Sequence, residues 1–433
     1  MERELFFLSL LKSEVKPALG CTEPIAVALA VATAAQLLKT NGEIPTKIEI
    51  EVSANILKNG MGVGIPGTKE VGLFVASALG AICGEPSLSL ELLRGVNNHC
   101  IEKALEMVNR ELVTISKASS NSKKLFIKAT LYYKESIATA TIEDRHDNIS
   151  SLTLNGKRIP PPLATAIEEE GSINGNNSRE SYLNMESIYS FAKEVEFEKI
   201  EFILESVRLN TLLAEEGLSG EWGLGVGRSI NSASNKRIYG DSILREAMAL
   251  TAAASDARMS GSTLPAMSNS GSGNQGITVT LPVAAYAKKI GANSQKLARA
   301  LVIAHLTASL LKVELGKLSA LCGCVTAATG ASCAIVYLEG GALKEIEYAI
   351  HNMVGNITGM VCDGAKPGCA LKVATGVAAA IKSATLALEG RSITKNEGIV
   401  TGSVEGSIRN LSKIGSEGMN YTDKLILEMM LNK

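Results

Sequence analysis

Five of the eight cysteines of this 433-residue chain fall between Leu318 and Thr375, namely Cys322, Cys324, Cys333, Cys362 and Cys369. Cys362 and Cys369 flank an Asp-Gly-Ala-Lys-Pro-Gly segment. A further cysteine, Cys21, stands in Leu19-Gly20-Cys21-Thr22-Glu23-Pro24, just before the apolar run that ends near Lys39. A thiolate can act as nucleophile, base or metal ligand. Thr22 suits an N-cap, and Glu23 and Pro24 suit a first helical turn. Cys21 is therefore expected at the positive end of a helix, with a pKa below the usual ~8.5. A small apolar residue in a tight turn is the plainer alternative. Cys324, Cys362 and Cys369 match neither ferredoxin spacing, and they lack the paired knuckles of a structural zinc site. From spacing alone, a metal site and a set of buried core cysteines both stay open. Cys322-Gly323-Cys324 leaves the first ligand ambiguous, and Cys333 reads as core.

Two polar, glycine-rich stretches are candidates for holding a small molecule. Lys58–Thr68 (KNGMGVGIPGT) lacks the Lys-Ser/Thr ending of a phosphate loop and the spacing of a dinucleotide fingerprint. It can still offer backbone N–H groups and the Asn59 amide to a carboxylate, although a plain turn is the simpler reading. Pro265–Gly276 (PAMSNSGSGNQG) concentrates amides and hydroxyls just ahead of an apolar helix. Its Ser268, Asn269, Ser270, Gly271 and Asn274 suit recognition of a zwitterion. The four histidines, His99, His146, His305 and His351, are scattered and form no ligand pair. They read as surface or satisfied core residues. No Gly-x-Ser-x-Gly elbow or His-Glu-x-x-His motif occurs.

These residues must be positioned by two kinds of element. Residues 2–16 carry apolar positions at helical spacing up to Pro17. From Gly42 the pattern shifts to alternation, with a strand at 47–57 (KIEIEVSANIL) and a run of antiparallel strands between 111 and 157. Helices are expected at 70–79 and 86–110, and linkers at Pro160–Pro162 and GSINGNNSRES. From Ser206 onward the pattern is helical, with helices near 239–257, 281–291, 294–312, 339–354, 370–388 and 423–431. The fold class is α+β: a mostly helical catalytic unit, 1–41 with 206–433, and an inserted smaller α+β unit, 42–205, containing an antiparallel sheet.

Hydrophobic residues make up 46% of the chain and aromatic residues only 4%, so small side chains must form the helix contacts. Net charge is −1, without a basic run, which argues against nucleic acid as a partner. The most apolar run is shorter than the roughly twenty residues of a membrane span, and a cytoplasmic protein is expected. In that compartment clustered cysteines are read as reactive or metal-binding rather than disulfide-linked. The Ala- and Gly-rich helices suit packing within a monomer as well as across a dimer, and a homodimer is expected.

Five motifs, taken together, carry a resemblance: LGCTEP at 19–24, KNGMGVGIPGT at 58–68, PAMSNSGSGNQG at 265–276, ALCGCVTAA at 320–328 and GMVCDGAKPGCA at 359–370. In their order they resemble the iron–sulfur L-cysteine desulfidases, relatives of the alpha region of iron–sulfur L-serine dehydratases. The resemblance implies a [4Fe–4S] cluster held by Cys324, Cys362 and Cys369, with the fourth iron open to substrate. It implies that Cys21 transfers protons rather than holding the cluster. The implied reaction converts L-cysteine and water to pyruvate, ammonia and sulfide. L-serine dehydration is the near alternative, and a non-catalytic metal or redox sensor the distant one.

Overall fold

Alternating apolar residues between 47 and 158 build a six-stranded sheet. The computed structural model describes residues 2–38, 45–119, 122–160, 182–316 and 319–432. The expected linkers at 160–162 and 171–181 lie almost wholly outside the described residues. In the sheet, the Lys47–Val52 strand runs parallel to Val113–Lys117 and antiparallel to Phe126–Tyr133. Ser136–Glu143, Ile149–Leu154 and the short Lys157–Arg158 follow as an antiparallel meander. The sheet is thus mixed rather than purely antiparallel.

Ile48, Ile50, Val52, Ile127, Ala129, Leu131, Ala138, Ala140 and Ile142 share the buried face of the sheet. Against them pack the helices Thr22–Leu38, Gly72–Cys83 and Asn98–Asn109. The Thr22–Leu38 helix, grouped by sequence with the helical unit, buries Ile25 through Ala34 in the core of the sheet. The reason is that it is apolar all round, so it is stable only between layers. By packing, the passage from one core to the other falls near Cys21 rather than at residue 41.

The second core is helical, and the Gly323–Leu338 helix lies at its middle. It packs on Ser294–Leu315, Gly273–Lys289, Leu343–Ile357 and Cys369–Leu388. This central helix was not among those expected from periodicity. Its Gly, Cys, Ala, Thr and Ser residues are buried on every side, so no apolar stripe marks it. The Cys369–Leu388 helix is long and apolar enough to cross a membrane by composition, but half of that window is buried inside the fold. Other expected helices are displaced. The one placed at 281–291 is Gly273–Lys289, capped by the Ser272 side chain, so Gly273–Gly276 is helix and not loop. The span 86–110 divides into a 3₁₀ turn, Pro86–Glu91, and a helix, Asn98–Asn109.

Three short pairings bring distant motifs together. Pro17–Ala18 pairs antiparallel with Ala266–Met267, which fastens the Cys21 segment to the Ser268–Ser272 turn. Gly64 and Gly67 donate their N–H groups to the carbonyls of Met259 and Gly261, 2.9 and 3.0 Å away. Leu321 bridges Val361, with Cys322 N–H donating to the Met360 carbonyl and Cys362 N–H to that of Ala320.

Candidate functional site

The thiol of Cys21 is buried and donates to Glu23 Oε2 at 3.0 Å. Glu23 lies in the first turn of the Thr22–Leu38 helix. Its carboxylate also accepts from Thr22 Oγ1 at 3.1 Å and from Asn59 Nδ2 at 3.0 Å. Thr22, expected as an N-cap, instead gives its hydroxyl to Glu23 and to the Gly271 carbonyl. The Cys21 pKa is raised well above its ordinary value, not lowered as the helix position suggested. Burial is the largest cause and the charge of Glu23 the next, while Arg258 opposes them. The helix terminus is outweighed by a dry site with an acid beside the sulfur. Burial alone would raise the Glu23 pKa. The neighbouring His146 and the bonds from Cys21 and Thr22 bring it below the usual value.

Cys21 packs with Val63 and Met259, and Ala365 and Cys369 close the same small apolar cluster. The fold therefore brings Cys21 to the segment between Cys362 and Cys369 across more than three hundred residues of sequence. Gly364 permits the approach from the other side. Its φ is +91°, and a Cβ there would meet the Lys58 carbonyl oxygen at 2.5 Å. Lys58, Asn59 and Gly60 end the Ala54–Gly60 helix, so Asn59 is presented by a helix rather than by a flexible loop. Its Oδ1 is buried and has no partner.

Cys322, Cys324, Cys362 and Cys369 form a sulfur-rich neighbourhood. Cys324 Sγ lies 3.3 Å from Cys322 Sγ and 3.1 Å from Met360 Sδ. The bond from Cys324 lowers the Cys322 pKa to about 7. Cys324 itself is pushed well up, first by that bond and then by burial and the charges of Cys322, Cys369 and Cys362. Burial likewise raises Cys362, and it raises Cys369 to about 11. Lysines surround the group. Lys372 donates to the Val361 carbonyl at 2.7 Å and pairs with Asp363, which also pairs with Lys366. Lys312 feels the charges of Cys362, Cys322 and Glu23, and burial brings its pKa down to about 8. Among the described residues no three His, Cys, Asp or Glu side chains converge as they would on a single ion. Ligands of a polynuclear cluster bind different metal atoms and need not converge on one point. Cys324, Cys362 and Cys369, with Cys322 beside them and lysines near enough to offset thiolate charge, are a donor set that fits an iron–sulfur group.

Of the residues expected to hold substrate, Asn269 is fully buried. Its amide donates toward His305 Nδ1 at 3.1 Å, and its Oδ1 accepts from Gln275 at 2.7 Å and Ser270 at 3.0 Å. Ser268 gives its hydroxyl to the Lys16 carbonyl at 2.6 Å. These two side chains build the turn, which has positive φ at Ser270 and Gly271. Asn274 is half-buried, and its Oδ1 accepts from Arg258 at 3.2 Å. Sequence reasoning missed Glu23 as a partner of Cys21, and it missed Arg258, His146 and Lys312. Glu23 was visible two residues from Cys21. The other three carry no local motif.

A family model described as serine dehydratase alpha chain matches residues 90–428. Full-length relatives are also found. The chain is 45% identical to a UPF0597 protein of Bacteroides fragilis over 98% of this chain and 97% of that one. It is 45% identical to a UPF0597 protein of Oleidesulfovibrio alaskensis over 99% and 98% of the two chains. A UPF0597 protein of Shewanella halifaxensis is 43% identical over 99% and 98%.

Proposed function

The chain belongs to the serine dehydratase alpha chain family, and on that premise we propose that it is an iron–sulfur lyase acting on L-cysteine, releasing pyruvate, ammonia and sulfide. The carrying observation is the Cys21 thiol, seated on Glu23 and packed against Cys369. Cys324, Cys362 and Cys369 would hold a [4Fe–4S] group. When bound, such a group supplies a Lewis-acidic iron that eases departure of a thiolate or hydroxyl from Cβ. Elimination also needs a base for the Cα proton. Cys21 Sγ takes that proton while its own passes to the Glu23 carboxylate, so the pair works as a relay. The orphaned Asn59 Oδ1 suits the substrate ammonium. Burial of Cys21 and Glu23 keeps water from the carbanionic centre. Reduced thiols suit a cytoplasmic setting.

Cysteine is preferred over serine because Val63, Met259, Ala365 and sulfur line the site. A hydroxyl there would be poorly satisfied, whereas a thiol loses little on burial. The description of the matching family favours the second reading, L-serine dehydration. Anaerobically reconstituted protein given each amino acid separates the two. Sulfide release from cysteine should exceed pyruvate formation from serine, and the reverse order sinks the cysteine assignment. As a control on the ligands, serine at 324, 362 or 369 should abolish the brown iron–sulfur absorption, whereas Cys322→Ser should keep it.

A further inference from the structure

Arg258 is a buried cation whose charge tempers Cys21 but to which the proton relay assigns no bond. Its side chain is 3% exposed at the end of the Ile243–Met259 helix. It donates to the Gly20 carbonyl at 2.6 Å, to Asn274 Oδ1 at 3.2 Å and to Met259 Sδ at 3.3 Å. Its Nε has no partner. Among the described residues no carboxylate forms an ion pair with it. Gly273, the first residue of the seventeen-residue Gly273–Lys289 helix, lies directly against the guanidinium. A Cβ on Gly273 would meet Arg258 Nε at 2.2 Å and Cζ at 2.5 Å. A fixed cation thus faces the positive end of a helix in a dry place. That arrangement is unfavourable unless an anion joins it.

We propose that Arg258, with the N-terminus of the Gly273–Lys289 helix, seats the α-carboxylate of the amino-acid substrate. The inference rests on the elimination reading above and names the anchor it lacks. Arg258 grips the carbonyl of Gly20, one residue before Cys21, so a carboxylate bound there sets Cα beside the Cys21 thiol. Asn274 holds the guanidinium without neutralising it. Glycine at 273 puts no Cβ between the guanidinium and the start of the helix, where Ser272 Oγ takes the Gln275 N–H and the N–H groups of Gly273 and Asn274 come before it.

The test is calorimetric binding to the reconstituted full chain under anaerobic conditions, with two probes. One is 3-mercaptopropionate, which keeps the thiol and carboxylate. The other is cysteamine, which keeps the thiol and amine but has no carboxylate. Arg258→Gln should weaken 3-mercaptopropionate by about 100-fold and leave cysteamine unchanged, as expected for loss of a desolvated charge partner. Arg258→Lys should recover part of the loss. Asn274→Asp supplies an internal counterion without changing size. It should fold normally and weaken 3-mercaptopropionate alone, which keeps the test valid if Arg258→Gln is unstable. Equal loss of both probes, or unchanged binding of 3-mercaptopropionate in Asn274→Asp and Arg258→Lys, overturns the assignment. Failure of the elimination reading would show separately, as wild-type protein that releases neither sulfide nor pyruvate.

Discussion

At Cys21 and Glu23, two residues apart, the carboxylate both raises the thiol pKa and stands ready to receive its proton. Cys21→Ser should lower turnover by roughly 10²–10⁴-fold, the range of a lost general base. It should leave the iron–sulfur absorption intact, because the proposed ligands are Cys324, Cys362 and Cys369. A colourless Cys21→Ser protein would instead make Cys21 a ligand. Glu23→Gln tests the partnership from the other side. It removes the negative charge that raises Cys21, while burial, the larger cause, remains. Alkylation of Cys21 in the cluster-free protein should therefore set in at lower pH than in the wild type, yet still above the usual thiol range. Onset at an unchanged pH would mean that Glu23 does not govern the thiol. The cysteines themselves were legible because thiols are rare and clustered. Arg258 was not, because its role depends on what lies opposite it in space, and a lone arginine in SDARMSGST carries no spacing signal.

Among the elements, the Ser294–Leu315 helix shapes the Ser268–Ser272 turn through His305. That imidazole is fully buried, with Nδ1 facing Asn269 and Nε2 3.2 Å from Thr280 Oγ1. Burial brings its pKa from 6.5 down to about 3, so it is neutral in the fold. Below pH 6.5 the unfolded chain takes up a proton that the folded chain refuses. Stability is therefore complete above that value and falls as pH drops toward 3, by about 1.4 kcal/mol per pH unit from this group. Denaturant titrations at pH 7, 6 and 5 should show this slope in the wild type and a slope smaller by one proton in His305→Gln. Equal slopes would remove His305 from the account. Amphipathic elements such as the sheet strands and the Asn98–Asn109 helix were readable from their period. The Gly323–Leu338 helix was not, because burial on all sides erases periodicity. The start of the Gly273–Lys289 helix was missed for another reason: Gly273–Gly276 resembles a linker until Ser272 is seen to cap it.

For the whole molecule, the candidate site lies where the two cores meet, and the Asn420–Leu431 helix packs beside it. Lys58 is 2% exposed and pairs with Asp423 of the Asn420–Leu431 helix. The Lys58 carbonyl lies against Gly364, between Cys362 and Cys369, and Met430 lies near the same glycine. The last helix therefore ties the segment carrying Asn59 to the one carrying two proposed ligands. It is also lightly anchored, since Tyr421, Met429 and Leu431 are exposed and Leu427 is its only buried residue. A buried site needs some element to yield when substrate enters, and a tail held by Leu427 and one half-buried pair is suited to do so. Asp423→Asn leaves Lys58 buried without its counter-charge. That should cost between about 1 and 3 kcal/mol of stability, below the range for a fully buried pair because Asp423 is partly open to solvent. Loosening the contact at Gly364 should also speed loss of iron to a chelator, measured as decay of the iron–sulfur absorption. Asp423→Glu, which keeps the charge, should retain most of both properties. If Asp423→Asn loses stability but gives up iron no faster than the wild type, the pair supports the fold without guarding the site.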